Sequence, residues 1–402
     1  MKPAKPASAT MNEQTFVPAT MRAVYYDQVR AGDEVLAGAN NTKKYREIDA
    51  GLAIEAFLDT DYPTPRPSEH QYILKIQAAT WGHMELPPAR VVNPKYAPTH
   101  IPLHSVCGTV ISTPAEDHTV PGGPKFKIGD VVLGMLSYTR DGGAADYALA
   151  TEDEVALKPM NISAAEAASV VTPALVAWQA LFRYCGTDVP ATSSGIATNS
   201  DPMRVLVNNV DDNNIGRIAI QLLRAKNACL PFARPWICAV CGRQDSEALM
   251  DESGVDEVLV IPRSSSQTVD VAATFHARNW GPADIILDFS VDAAFRQTHP
   301  SSLVKDKGLV ITPGVPSPEL KSTTSRQQDI LCSNDRGVRS EYVAATPDGA
   351  ALAQIAELVE ANVVTVDNAT VVDLVDAVDF AITGVKEASG RLLHNEIVVR
   401  VN

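Results

Sequence analysis

The sequence predicts an α/β chain in two parts, a β-barrel-like domain and a doubly wound parallel sheet. Three observations carry this. Short apolar runs separated by Gly and Pro fill the region from Met21 to about Val155, a helical texture begins abruptly at Ser163, and strands then alternate with helices.

Each part has its own signals. Residues 1–20, MKPAKPASATMNEQTFVPAT, mix Pro, Ala, Ser and Thr without periodicity and read as a loose tail, because they bury too little to offset their ordering entropy. The runs MRAVYY, QYILKIQAA, SVCGTVI, DVVLGML and AADYALA read as the strands of the first part. At Ser163, S-A-A-E matches a capping box and opens the apolar run AASVVTPALVAWQALFRY, with Pro173 as an expected kink. Then come RVLVNNV, IGRIAIQLLRAKNA, WICAVCG, SEALMDESG, EVLVI, ADIILDFS and GLVITPG, an alternation that implies a parallel sheet covered on both faces. Past Arg336, DGAALAQIAELVEA and VVDLVDAVDFAITG read as two helices and NEIVVRV as the last strand.

With 402 residues and 45% hydrophobic content the chain can bury more than one core. Lys and Arg number 34 against 48 Asp and Glu, so a net charge of −14 opposes partners bound through phosphates or an anionic membrane surface; no nucleic acid is expected. No apolar run reads as reaching the roughly 20 residues of a membrane span, and a cytoplasmic protein is expected. Cys107, Cys185, Cys229, Cys238, Cys241 and Cys332 lack a small-scaffold spacing and read as reduced, mostly buried thiols. Cys238 and Cys241 form the only CxxC, but on a strand they point to opposite faces and cannot share a metal. G-x-S-x-G, HExxH and P-loop patterns are absent, which removes hydrolase and kinase readings.

The ordered series FKIGDVVLGM (126–135), GGAADYALA (142–150), ALKPMNISAAEAASVVTPALVAWQALF (156–182), VLVNNVDDNNIGRIAIQLLRA (205–225), ADIILDFS (283–290) and GVRSEYVAATPDGAALAQIAELVEA (337–361) resembles the medium-chain dehydrogenase/reductase superfamily, in its zinc-free quinone oxidoreductase and enoyl reductase branch. Only the tail and an insert near residues 35–68 fall outside it. The resemblance implies a GroES-like β-barrel substrate domain from residues 21–162 and 336–402, a Rossmann doubly wound domain over 163–335, a cleft at their junction, and a possible homodimer. It also implies NADPH-dependent reduction of an activated C=C or quinone of a small substrate.

Zinc-dependent relatives hold their ion with a Cys, a Gly-His-Glu stretch and a later Cys or carboxylate. Here AATWGHMEL offers no Cys, and Pro102-Leu103-His104-Ser105 has the His without the Glu, so no zinc is expected. The nucleotide turn departs from its family. Where relatives carry glycine, two residues, glycine, two residues, glycine, this chain reads Val210-Asp211-Asp212-Asn213-Asn214-Ile215-Gly216, and only the last glycine remains. A carboxylate turned into the phosphate site would cost about 1–4 kcal/mol. Phe289-Ser290-Val291-Asp292 likewise replaces a Gly-containing turn. Against this, Arg243 stands after the strand ICAVC where the resemblance places the receiver of the NADP 2′-phosphate. Two readings stay open: NADPH held by Asn213, Asn214, Gly216, Cys241 and Arg243, or a decayed nucleotide site in a redox-silent relative that isomerises, cyclises or only binds a small apolar ligand.

The candidate proton donors are His83, in Trp81-Gly82-His83, and His104, in IPLHSVCGT, which lines the cleft in relatives. Each has a reading without a catalytic role, the preferred one for His83, satisfied by a backbone carbonyl, and an equal one for His104, left over from a zinc-binding ancestor. Tyr138 and Asp141, in SYTRDGG, have two readings, residues that reach the substrate from the cleft rim or surface loop residues, and the second is preferred.

Overall fold

The computed structural model describes residues 17–30, 44–49, 52–81, 85, 100–114, 123–184, 202–210, 214–225, 234–242, 254–261, 271–289, 303–313, 337–365, 370–378 and 397–401. His83, Asp211, Asp212, Asn213 and Arg243 lie outside them, as do residues 1–16 of the tail and the helix expected at SEALMDESG up to residue 253.

The first part is built by strands from both ends of the chain. β4 (Gln71–Trp81), β5 (Ser105–Ser112), β6 (Val131–Met135), β7 (Tyr147–Thr151) and β8 (Val155–Leu157) join β15 (Thr370–Asp373) and β16 (Ile397–Arg400) in one seven-stranded sheet. β16 pairs antiparallel with β4, and Arg22 donates to the carbonyl of Val401 at 2.8 Å, which ties the two chain ends together. β1 (Thr20–Arg30), β2 (Lys44–Asp49) and β3 (Leu52–Pro63) form a separate antiparallel sheet in the order β1-β3-β2, so the insert near residues 35–68 supplies two added strands. Leu74, Ile76, Tyr26, Tyr72 and Val106 fill the barrel core. A register shift in β4 between Ile76 and Ala78 breaks the alternation, and Ala78 faces a second core outside the barrel.

That second core is organised by α1 (Ala164–Gln179). Ser163 Oγ accepts from the Glu166 amide at 3.2 Å and Glu166 returns the bond to the Ser163 amide at 2.7 Å, the capping box expected from the sequence. Pro173 lies inside the helix without ending it, and residues 167–179 are all buried. A helix apolar all round belongs inside a core. Ala78, Cys107 and Met135 of the barrel and Val205, Val207 and Ile285 of the parallel sheet share its cluster. One difference from the sequence reading follows: the helical stretch Ala164–Arg183 is long and apolar enough to cross a membrane by length and composition, but 78% of its apolar window is buried inside the fold.

The parallel sheet contains β9 (Arg204–Asn208), β10 (Trp236–Cys241), β11 (Glu257–Val260), β12 (Ala283–Asp288), β13 (Val304–Pro313) and β14 (Arg339–Val343) in the order β11-β10-β9-β12-β13-β14. Numbered within the domain this is 3-2-1-4-5-6, the doubly wound arrangement. α2 (Asn214–Arg224) follows β9 and buries Ile215, Ile218, Ala219, Leu222 and Leu223 at helical spacing, and α3 (Val271–Ala277) contributes Val271 and Phe275 to the cluster that also holds Cys238 and Val240.

Two boundaries differ from those read in the sequence. The Rossmann-like sheet, expected to end within 163–335, runs on to Val343, because β14 pairs in parallel with β13. The stretch at VVDLVDAVDFAITG, read as a helix, begins as strand β15 from Thr370 to Asp373, because β16 offers its residues a ladder. β-Branched Val residues fit either reading, and the available partner decides.

Candidate active site

The barrel end of the junction is shaped by the irregular segment from His100 to His104, which two carboxylates hold. Asp141 Oδ1 accepts from the amides of His100 at 2.8 Å and Ile101 at 3.0 Å. Glu85 accepts from the amides of Leu103 and His104, each at 3.1 Å, and its Oε1 stands 2.9 Å from His104 Nδ1. Leu103 sits at φ 69°, a strained setting for a bulky side chain that only tight surroundings sustain. Those surroundings are present: Leu103 is fully buried, and its carbonyl accepts from the Gly143 amide at 2.6 Å. A Cβ on Gly143 would stand 2.3 Å from Val106 Cγ1, and one on Gly142 would stand 2.3 Å from the Pro102 carbonyl oxygen. Small residues are what let the loop lie against this segment.

His104 is completely buried, and both ring nitrogens are engaged: Nδ1 with Glu85, and Nε2 at 3.1 Å from the Arg140 carbonyl. A carbonyl only accepts, so Nε2 is the donor on that side and Nδ1 is the nitrogen that faces the carboxylate. The Tyr138 ring packs on His104 with centroids 4.5 Å apart, and Tyr138 is partly buried against both the barrel core and the junction core. Burial, with the Glu85 charge adding to it, raises the Tyr138 phenol well above its ordinary range and keeps it a hydrogen-bond donor. The loop bearing Tyr138 is held by Glu154, which accepts from the Ser137 amide at 3.0 Å and pairs with the Arg140 guanidinium. The nearby Cys107 thiol is pushed up to about 12 by burial, which makes it inert.

The sheet end of the junction lies where strand order reverses, between β9 and β12. Asn208 donates to Asp288 Oδ1 at 2.8 Å across this point, and Asn209 donates to the Phe289 carbonyl at 3.1 Å. The chain leaves β9 through Asn209, which takes φ 63°. The left-handed conformation therefore falls on Asn209, one residue before Val210, which takes the first glycine position when the family pattern is counted back from Gly216. Asn209 stands seven positions before Gly216, one more than separates the outer glycines of the family pattern. Asn tolerates this conformation where Val would not. Gly216 lies in the first turn of α2, where a Cβ would stand 3.0 Å from Val210 Cα, so this glycine permits close contact between helix and strand end. Such a backbone, with a helix opening at the switch point, fits a dinucleotide pyrophosphate.

The structure thus brings His104, Tyr138 and Asp141 together at the barrel end and places Asn214 and Gly216 at the start of α2. Cys241 ends β10 as a buried side chain. Among the described residues, no group of three or more His, Cys, Asp and Glu could hold a metal ion. On the face turned to α1, the side chains of Ser105 and Thr172 supply buried hydroxyls, bonded to each other. Sequence reasoning missed Glu85 and Asn209. Glu85 had no motif around it; for Asn209, its known tolerance of left-handed turns was the available signal.

No protein-family model matches the chain. It is 28% identical over 200 residues to a chloroplast envelope quinone oxidoreductase homolog of Arabidopsis thaliana, a match covering 49% of this chain and 54% of that one. The chain therefore spans little more than half of that relative. A protein of Arthroderma benhamiae named "Probable zinc-binding oxidoreductase, mitochondrial" is 27% identical over 308 residues, covering 74% of this chain and 80% of its own length. The solved structure of the quinone oxidoreductase from Coxiella burnetii superposes with a TM-score of 0.63 over 95% of this chain and 99% of that chain, at 17% identity. At that identity the likeness is one of fold.

Proposed function

We propose that this chain, a member of the medium-chain dehydrogenase/reductase superfamily, is a zinc-free, NADPH-dependent reductase of a small substrate carrying an activated C=C or a quinone ring. The observation that carries the reading is the 3-2-1-4-5-6 sheet, whose switch point is met by the start of α2 and by the Asn209 turn. A reduced nicotinamide, when bound, supplies a hydride to an electron-poor carbon.

The protein's own part is to bind, orient and exclude water. Asn213, Asn214, Gly216 and the amides at the start of α2 would hold the phosphates of the cofactor, and Cys241 and Arg243 would complete its site. Tyr138 lines the substrate side as a donor, and His104, engaged at both nitrogens, holds Tyr138 and the Arg140 carbonyl in place. His83 remains a proton donor in this reading. The absence of zinc is supported by donor chemistry: both nitrogens of the His104 imidazole are already engaged, by Glu85 and by the Arg140 carbonyl. The redox-silent alternative is favoured by Asp211 and Asp212, whose charge opposes a pyrophosphate.

Titration of the purified chain with NADPH and NADH, followed by fluorescence, tests this reading. Micromolar NADPH binding that weakens at least tenfold in Arg243→Ala is expected. No binding to the native chain, with binding gained by Asp211→Ser/Asp212→Gly, would overturn the reductase reading in favour of redox-neutral chemistry.

A further inference from the structure

The sheet of β1, β3 and β2 carries aromatic rings and carboxylates together on its outer face. Its register sets Tyr25 opposite Phe57, Asp27 opposite Glu55 and Ala23 opposite Asp59. Directly opposed residues leave a sheet on the same face, with Cβ atoms about 5 Å apart. The alternate residues Val24, Tyr26, Ala56 and Leu58 pack in or against the barrel core, so the first set lies on the other side. There the Tyr25 ring stacks on Phe57 with centroids 5.4 Å apart, and Tyr62 joins the row at 5.3 Å from Tyr25. Tyr25 and Tyr62 also touch the barrel core, yet all three rings and Asp59 stay part-exposed and Asp27 is exposed.

Glu55 is the exception on this face. It is only 8% exposed, and its Oε2 accepts no hydrogen bond. A carboxylate can only accept, so a buried one without a donor calls for a cation near it. Asp27 stands directly opposite, and like charges opposed across a ladder destabilise it. Asp59 accepts from the Asp61 amide at 2.8 Å, and among the described residues neither Glu55 nor Asp59 is paired with a Lys, Arg or His. The negative field reaches the rings. Burial raises the Tyr25 phenol first, and the charges of Asp59 and Asp27 add to it; Tyr62 is pushed up to about 12 by burial, then by Asp141, Tyr25, Asp59 and Asp27.

The layout selects among cations. Along β3 the order is carboxylate, ring, carboxylate, and Glu55 and Asp59 stand about 14 Å apart at about 3.4 Å per residue. A metal ion needs several oxygens converging on one point, and among the described residues no group of His, Cys, Asp and Glu offers that. Ring faces favour an organic cation and cover its methylenes. An extended chain with an ammonium at each end and methylenes between them spans a comparable length.

We propose that Glu55, Phe57 and Asp59 of β3, with Tyr25 and Asp27 of β1, form a surface site for a linear aliphatic polyamine. One ammonium sits between Asp27 and Glu55, the methylenes cross the stacked rings, and the far ammonium meets Asp59. The site does not depend on the reductase reading, since β3 belongs to the insert outside the family resemblance.

Isothermal titration calorimetry of the full chain with spermidine at 150 mM salt tests this. The net charge of −14 attracts any polyamine weakly to the whole surface, so the comparison is between variants. Glu55→Gln and Asp59→Asn remove one charge each with little change of shape, Phe57→Leu removes a ring, and Glu360→Gln removes an exposed charge outside this sheet. One spermidine per chain with micromolar affinity is expected, weakened at least tenfold in Glu55→Gln and Asp59→Asn, about fivefold in Phe57→Leu, and unchanged in Glu360→Gln. Asp59→Asn, at a part-exposed position, carries the test alone if Glu55→Gln does not fold. Absence of saturable binding, equal losses in Glu360→Gln and Asp59→Asn, displacement of spermidine by equimolar magnesium, or binding of oligolysine without binding of spermidine would each overturn the site.

Discussion

Glu85 and His104 are joined twice: the Glu85 carboxylate accepts the His104 amide at 3.1 Å and stands 2.9 Å from the same residue's ring Nδ1. With the Leu103 amide it receives a third bond, so one side chain holds both the strained backbone at Leu103 and the orientation of the imidazole under Tyr138.

Removing one partner of a buried hydrogen-bonded pair leaves the other unmatched. Glu85→Ala and His104→Ala are each expected to cost about 1–3 kcal/mol, and the double variant less than their sum. Urea denaturation of the four proteins gives this coupling directly. Strict additivity would mean that the two side chains act independently.

The turn at Asn209 predicts an unusual order of variants. Asn209→Ala combines a positive φ without glycine's freedom and a lost bond to the Phe289 carbonyl, at a cost of about 1–3 kcal/mol. Asn209→Gly loses the bond but relaxes the backbone, and should be the milder change. Thermal unfolding that ranks glycine below alanine would contradict the assignment.

Gly216→Ala pushes a methyl to 3.0 Å from Val210 Cα, so helix and strand end must separate by a few tenths of an ångström. A stability loss of about 1–3 kcal/mol is expected from the overpacking, together with weaker NADPH binding in the titration described above.

Glu166 has its pKa lowered, chiefly by the Ser163 side-chain hydrogen bond and then by the Ser163 amide. A carboxylate favoured in the folded state contributes stability that is complete above its unfolded pKa and lost as pH falls through the lower folded value. The penalty of Ser163→Ala, about 1 kcal/mol near neutrality, should therefore shrink as the pH falls below about 4. Urea unfolding of both proteins at pH 7 and pH 3 measures it.

Burial raises the Cys107 thiol to about 12 and the Cys238 thiol higher still, and both are free. Iodoacetamide at pH 8 should leave both unlabelled in the native chain and label them in 6 M urea, as read by peptide mass spectrometry. Rapid native labelling at either position would show that the core around it opens.

The elements that depend on nearby residues were readable in the sequence. Ser163 and Glu166 lie three positions apart and make their capping box with each other, so the start of α1 needed no tertiary information. The apolar strands β9, β10, β12 and β13 announce a parallel sheet because their side chains are buried on both faces. The start of β15 was misread because Val residues satisfy two periodicities, and only the presence of β16 beside them selects one. The left-handed turn after β9 was not legible, because Asn209 stands one position further from Gly216 than the first glycine of the family pattern does.

What the amino-acid sequence determined by itself is the pair of domains and their order, because periodicity, caps and turn residues act over a few positions. What only the tertiary structure decided is the chemistry of the junction. Glu85 meets residues 18 and 19 positions away, Ser105 meets Thr172 across 67 positions, and Asn208 meets Asp288 across 80. Hydrogen bonds require donor and acceptor within about 3 Å, and no local pattern records which distant partner will arrive there.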